Sequence, residues 1–573
     1  MTQAQNDTDV LIVGAGPVGL CCSRLLSRMG VRNRVVERRT GLHTAPQAHV
    51  VSARSVEVFR AAGIDAGKLA TVATRLEDQM AIRWVHTLAG PMLGQVELGD
   101  PMRAMKMMTS TPTPNLNIPQ HRLEPILYEA ARVAGAPIDF EREWVGSEQD
   151  NDGVVSQIHS AATCDTEEVR SRFLLACDGA SSPVRHAVGI EMNGPAHIQT
   201  YLSVFLETDL RDVVRDNPGL LFWHIDPLEP GVFIAHDIDS TWIYMHPFDP
   251  DVTPRESFTL ERCHELVKAA IGASASYEIR ETGMWQMTCQ VAERYREQNV
   301  FLVGDAAHRF PPTGGMGMNT GIADAFNLTW KIAAVLAGNA GNDLLTTYDV
   351  ERQPVAQWAA DKSLENHTKM MAVVEAMEID PSTPPLEARA QIRSLPEDEG
   401  RSQRVQAAIN GQAEHFDMLG FDLGHAYEQG ALAPDGTAAP PRGVSSLELT
   451  PTTRPGARLP HAWVQHDGDR VSTLDLASLT GPTLLCGPEG ESWRQAAASL
   501  GVRALSIGAG GDVDDSDRAW EALRQTSPEG ALLVRPDRHV AWRSSDASES
   551  CVKDLEGALA AMYCKSNEVE TGA

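Results

Sequence analysis

At 573 residues the chain is too long for a single hydrophobic core, so two or three are expected. Its 42% hydrophobic and 22% charged residues exclude a fibrous or mainly disordered protein. The formal charge of -28, from 49 Lys plus Arg against 77 Asp plus Glu, would repel polyanions and excludes nucleic acid as a partner.

Residues 1–9 are polar, with neither the basic start nor the apolar core of a leader, and no uncharged apolar run approaches the ~20 residues that cross a bilayer. A cytoplasmic protein without membrane contact is expected. Residues 10–13 form an apolar run that stops at a glycine-rich turn. Residues 18–29 follow with helical spacing, and a second apolar run at 34–37 completes a βαβ unit. Further strand-like runs at 171–177 and 299–304 alternate with helical segments, as in an α/β domain.

From 200 to 290 the pattern changes to short aromatic and β-branched runs, 201–206, 221–225, 232–236 and 242–246, which predict an inserted antiparallel sheet that covers a substrate. Helices are predicted over 320–336 and 344–363. Proline-rich stretches at 381–385 and 433–441 bracket a helical connector, the second serving as a linker. Beyond it, strands at 483–486 and 503–507, helices at 492–500 and 516–525, a hairpin around 536–539 and a last helix predict a thioredoxin-like unit.

The expected organisation is therefore a Rossmann-like α/β domain over 1–195 continuing at 291–375, a sheet domain over 196–290, a connector over 376–447 and the terminal unit over 448–573. The nine cysteines include no Cys-x-x-Cys pair and no zinc-ligand spacing, so neither thiol exchange nor a metal is indicated, and the vicinal Cys21 and Cys22 read as buried helix packing.

Gly14-Ala15-Gly16-Pro17-Val18-Gly19 sits between a strand and a helix, with Glu37 and Arg38 at the end of the next strand. Gly14 permits a tight turn, Gly16 lets the backbone approach a pyrophosphate, Gly19 allows close helix packing, and Glu37 can accept a ribose hydroxyl. A dinucleotide site is predicted.

Val303-Gly304-Asp305-Ala306-Ala307-His308-Arg309-Phe310-Pro311-Pro312, leading into Gly314-Gly315-Met316-Gly317-Met318-Asn319, resembles the flavin segment of the aromatic hydroxylases of the p-hydroxybenzoate hydroxylase fold. Cys177-Asp178-Gly179 resembles that family's Asp-Gly motif. The resemblance implies FAD as cofactor, with Asp305 on the ribityl chain, Pro312, Gly317, Met318 and Asn319 against the flavin ring, and Asp178 touching both FAD and the nicotinamide co-substrate.

The C-terminal unit and the Pro119-Gln120 pair are similar to those of phenol-type hydroxylases, nearest the dichlorophenol and hydroxybiphenyl monooxygenases, which implies a cofactor contact for Gln120. The implied reaction consumes NAD(P)H, with NADPH favoured, and O2, and transfers oxygen from a flavin C4a-hydroperoxide to a phenol-like or hydroxypyridine-like ring. A homo-oligomer is also implied.

An electrophilic hydroxylation gains from deprotonating the ring hydroxyl, and the resemblance points to His49, whose imidazole titrates near neutrality. A purely structural hydrogen bond is the alternative role for it. Two positions depart from the phenol-type pattern, Gln47 where relatives carry Arg and Asn117 where they carry Asp. An amide can orient a partner but cannot take its proton. Phe222, Trp223, His224 and Tyr244 are candidates to line an aromatic pocket, Trp223 first, with core packing as the other fate. The rival functions are an antibiotic- or polyketide-modifying flavin monooxygenase and a non-catalytic flavoprotein. A halogenase lacks support because its Trp-x-Trp-x-Ile-Pro element does not occur.

Overall fold

The apolar run after the polar N-terminus becomes the strand Thr8–Val13, buried from Val10 onward, and it lies at the centre of an eight-stranded sheet. The structure, a computed structural model, describes residues 6–438 and 448–565. Part of the proline-rich stretch at 433–441 and the ends of the chain lie outside them.

Strands Asn33–Glu37 and Thr166–Ala176 flank Thr8–Val13 in parallel, and Val300–Leu302 pairs in parallel with Thr166–Ala176. The register aligns Val13 with Val36 and Ala176, and Ala176 with Leu302. Four strands thus end at one level, the edge at which open parallel sheets bind ligands. The helices Pro17–Arg28 and Met316–Leu336 pack on this sheet, and their inner faces join its apolar core.

A second sheet has seven strands in the order Glu278–Met287, Gln199–Glu207, Thr241–Phe248, Gly231–Asp237, Leu221–His224, Ala81–Val85, Met92–Glu97. The last two come from sequence expected to belong wholly to the nucleotide domain. Ala81–Val85 pairs in parallel with Leu221–His224, so the sheet is not purely antiparallel. The strand Ala81–Val85, apolar except for Arg83 and buried throughout, is the physical reason: both of its faces need cover. The helix Leu260–Ile271 closes one face of this sheet, and a cluster containing Val373, Ile392, Leu395, Val405 and Ile409 of the helical connector closes the other at the Trp84 edge.

The terminal unit has four strands in the order Arg503–Ser506, Thr483–Cys486, Ala531–Val534, Val540–Ser544, parallel in the first pair and antiparallel in the others, flanked by Glu491–Ser499 and Cys551–Met562. This is the thioredoxin-like arrangement. No helix of the described residues is long and apolar enough to cross a membrane.

Candidate active site

The three glycine-bearing segments meet at the common strand edge. Gly14 has φ +106°, and a Cβ there would stand 2.2 Å from the Cys177 carbonyl oxygen, so only glycine lets the first turn lie against the segment that carries Asp178. Gly304 packs on Val18, and a Cβ on Gly321 would lie 3.0 Å from the Gly304 Cα, which locks the third segment onto the first helix. Gly16 and Gly317 have open space where a side chain would stand.

Polar groups along this cleft are left for a ligand. Asp305 opens onto this cleft and accepts no hydrogen bond from the described residues, while partial desolvation by the cleft walls raises its pKa against the opposing pull of His308 and Arg309. Asp178 accepts one bond from the Val184 N–H, at 3.1 Å, and its other oxygen is buried without a partner. These features suit a dinucleotide: glycine backbone for a pyrophosphate and free carboxylates for hydroxyls.

Glu37 is engaged within the protein. Its carboxylate accepts the Ala15 N–H of the glycine turn at 2.8 Å and the Arg39 N–H at 3.0 Å. Burial alone would raise its pKa, but Arg39 and these N–H groups hold it below the usual range. Arg38 is exposed, and the Gln120 amide donates to Glu124 at 2.7 Å.

The flavin-type turn is stitched to the His49 strand. Asn319 donates to the carbonyls of Gly315 (2.7 Å) and Val50 (3.0 Å) and accepts from Ser52 N (2.9 Å) and Ser55 Oγ (2.7 Å). Gly315, at φ +63°, caps the helix Met316–Leu336, which starts four residues before the predicted 320, and a Cβ on it would press Val50 at 2.7 Å. Pro312 is exposed, and Gly317 and Met318 are half-buried on the first helical turn.

His49 sits beside this turn in a defined protonation pattern. Thr74 Oγ1 donates to the His236 carbonyl at 2.7 Å, so its lone pair accepts from Asn117 Nδ2 at 2.6 Å. Asn117 therefore turns its carbonyl to His49 Nδ1 at 2.5 Å, and that nitrogen must carry the proton. In the neutral ring Nε2 is then the acceptor. Burial lowers the His49 pKa below 6.5, against the opposing effect of the Asn117 bond, so the neutral ring prevails at pH 7. The Val50–Val51 and Leu116–Asn117 ladder fixes both residues, and the His236 ring stands edge-on to His49 at 5.1 Å.

The family described as FAD binding domain matches residues 7–363, and that described as aromatic-ring hydroxylase, C-terminal, matches 452–565. The chain belongs to the FAD-binding aromatic hydroxylases. It is 33% identical to 2,4-dichlorophenol 6-monooxygenase of Delftia acidovorans, over 96% of this chain and 97% of that one. It is 35% identical to a putative polyketide hydroxylase of Streptomyces halstedii, over 94% and 93%. The structure of the flavin-dependent monooxygenase PieE, in complex with FAD and substrate, matches with a TM-score of 0.91 at 35% identity, over 98% and 100%.

Within this hydroxylase the four aromatic candidates divide between two faces of the second sheet. Phe222, paired with Phe233 and through it with Tyr244, packs in the core beneath Leu260–Ile271. His224 has the same parity as Phe222, and burial lowers its pKa to about 4. The two-residue period of the strand puts these three on the sheet face opposite Trp223. Trp223 takes the opposite parity, shared through Val232 with Ile234 and His236, and its indole N–H is buried without a partner.

A buried ionic network then joins the flavin-type segment to the terminal unit. Asp324 binds His308 and Arg352, each at 2.7 Å, and faces the Gly304 N–H at 3.4 Å. Next along the helix, Glu351 takes both Arg535 Nη atoms and the Lys331 ammonium at 2.8 Å each, and Arg535 also grips Asp537 at 2.6 Å. The Asp537 carbonyl accepts from Arg54 at 2.8 Å, and Glu57 pairs with Arg458. Sequence reading missed these residues. Their signal was a charged run, 535–539, between two apolar strands, which on a surface hairpin needs no such flanks. Thr74 left no signal at all.

Proposed function

We propose that the protein is an NAD(P)H-consuming FAD monooxygenase that hydroxylates a phenol-type ring, with His49 as the base that accepts the ring hydroxyl proton. The observation that carries this reading is the His49 Nε2 lone pair, held ready by the Thr74–Asn117 relay beside the turn at 312–319. The range of relatives, from a dichlorophenol enzyme to a polyketide hydroxylase, supports extending the substrates to natural-product phenols.

In this reading Gly14, Gly16 and Gly19 shape the pyrophosphate turn, Asp178 and Asp305 take FAD hydroxyls, and Gln120 with Glu37 and Arg38 border the same cleft. Pro312, Gly317, Met318 and Asn319 border the flavin ring. Bound FAD supplies electrons from NAD(P)H and the activation of O2. The helix start at Gly315–Met318 offers free N–H groups and positive potential to negative charge on the reduced ring. His49 removes a proton from the substrate hydroxyl and so raises the electron density of the ring, while Asn117 holds the imidazole in the tautomer able to do so. Trp223 and the His236 side of the sheet wall the substrate from water. NADPH is the favoured reductant, since the exposed Arg38 is a cationic point on an acidic chain.

The test is to load the protein with FAD and supply NADPH, O2 and a panel of phenols and hydroxypyridines. Expected is substrate-stimulated NADPH loss with a product heavier by one oxygen. Peroxide release with every substrate returned unchanged would refute it.

A further inference from the structure

The fold brings two cysteines that are far apart in the chain together beneath the glycine turn. Cys22 lies on the inner face of the helix Pro17–Arg28 and is fully buried. Cys177 follows the strand Thr166–Ala176 and is half-buried at the strand edge, where its N–H donates to the Val13 carbonyl at 2.8 Å. A Cβ on Gly19 would stand 3.2 Å from the Cys177 Cβ, and Cys22 follows Gly19 by one helical turn on the same face. The two thiols meet across that gap. Cys22 is hydrogen-bonded to Cys177, and this bond, followed by burial, holds the Cys22 thiol well above its usual range, so Cys22 stays protonated and donates to its partner sulfur.

This corner of the cleft has no slack. A Cβ on Gly14 would lie 2.2 Å from the Cys177 carbonyl oxygen, and the next residue, Asp178, keeps one carboxylate oxygen buried without a partner. A disulfide needs its sulfurs about 2.05 Å apart, well inside the separation of two hydrogen-bonded thiols. Closing that bond would draw Cys177 toward the helix and carry the Asp178 carboxylate and the Gly14 turn with it.

Resting on the reading that residues 14–19 and Asp178 take FAD, we propose that Cys22 and Cys177 are a modification site, joined as a disulfide by hydrogen peroxide when the cleft holds no FAD, and that the joined pair blocks cofactor loading until it is reduced. Peroxide meets Cys177 first, since Cys22 has no exposed surface. The Cys177 sulfur attacks one peroxide oxygen, the O–O bond breaks, and the released hydroxide takes the thiol proton as water, leaving a sulfenic acid. The Cys22 sulfur then attacks the sulfenic sulfur, the S–O bond breaks, and the departing hydroxyl takes the Cys22 proton as a second water. Two thiols thus lose two electrons and one peroxide is reduced to two waters. Loaded copies that reduce O2 without hydroxylating a substrate supply that peroxide.

The test treats FAD-loaded protein and the same protein stripped of FAD with equimolar hydrogen peroxide, then alkylates in denaturant and maps the peptides by mass. Expected in the stripped protein is a joined pair of peptides holding Cys22 and Cys177, lighter by two hydrogens, and in the loaded protein several times less of it. The oxidised protein should bind FAD about tenfold or more weakly, as the loss of one hydrogen-bonding contact requires, and dithiothreitol should restore the affinity. Cys22→Ala should bind FAD as wild type does before treatment; after it, dimedone should tag Cys177 and no joined peptide should form. Stripped protein without the joined pair, a pair that persists in Cys22→Ala, or a joined pair with unchanged FAD affinity would overturn the proposal and leave the FAD reading intact. Joining to the same extent with FAD bound would overturn both, because the cofactor would then leave Cys177 uncovered.

Discussion

Replacing Arg535 with Met isolates what the terminal unit contributes to the flavin domain. Arg535 is fully buried, makes two bonds of 2.8 Å to Glu351 and bonds of 3.0 and 2.6 Å to Asp537, and lies 5.2 Å from the ring centres of both Trp330 and Tyr427. Met retains part of the stacking surface but leaves two buried carboxylates with one full cation, Lys331, beside the weaker partners Asn327, the Ala431 N–H and His539. Breaking one side of such a pair costs about 3–5 kcal/mol. If the terminal unit melts as a domain of roughly a hundred residues, the midpoint should fall by about 10–20 °C. The assay is thermal unfolding followed both by circular dichroism and by the fluorescence of released FAD. Both should shift together, because Glu351 adjoins Arg352, which holds Asp324 against Gly304 and His308. The acid response sharpens the test. Burial would raise the Glu351 pKa, yet Arg535 and Lys331 hold it down to about 2, so its stabilisation is complete above the unfolded value near 4.5 and disappears as pH falls toward 2. That acid dependence should be blunted in R535M. A midpoint within about 2 °C of wild type, or flavin release that does not move, would refute the coupling.

Asn117→Asp would place a carboxylate against His49 Nδ1 and raise the imidazole pKa by favouring its charged form. In the proposed role the base works unprotonated and burial keeps the wild-type pKa below 6.5, so the acid limb of kcat/KM should move to higher pH than in wild type. A limb that stays put or moves down would argue against His49 as the base. Asp305→Ala removes an exposed carboxylate that no described residue engages, so folding should survive while FAD affinity drops about tenfold or more. Titration of the apoprotein with FAD checks this, and unchanged affinity would remove Asp305 from the cofactor site.

The features legible in sequence are those whose chemistry is confined to a few consecutive residues. Gly14 and Gly304 betray themselves because each combines a positive φ with a close approach, Gly14 to the Cys177 backbone and Gly304 to the Val18 side chain, and the strands before them read as unbroken apolar runs because helices cover both sheet faces. Parity within the second sheet was not legible. A period of two says that Phe222 and Trp223 point to opposite faces, yet only the partners across the sheet, His236 on one side and Leu260–Ile271 on the other, decide which face meets the ring. The parallel entry of Ala81–Val85 was hidden for the same reason, since it depends on a strand more than a hundred residues away.

The relay and the ionic network share a further property that makes them silent in sequence: each acts through groups distant in the chain. Asn117 looked like a loss, an amide where a carboxylate was expected. In the fold its value lies in direction, because Thr74, committed to the His236 carbonyl, forces the amide to offer oxygen and not nitrogen to His49. A carboxylate would fix the same tautomer without Thr74 but would also stabilise the imidazolium and raise its pKa. In the proposed role of His49 as the base, the neutral amide keeps the imidazole unprotonated at lower pH, so the departure from the phenol-type pattern would set the pH range in which the ring hydroxyl is deprotonated.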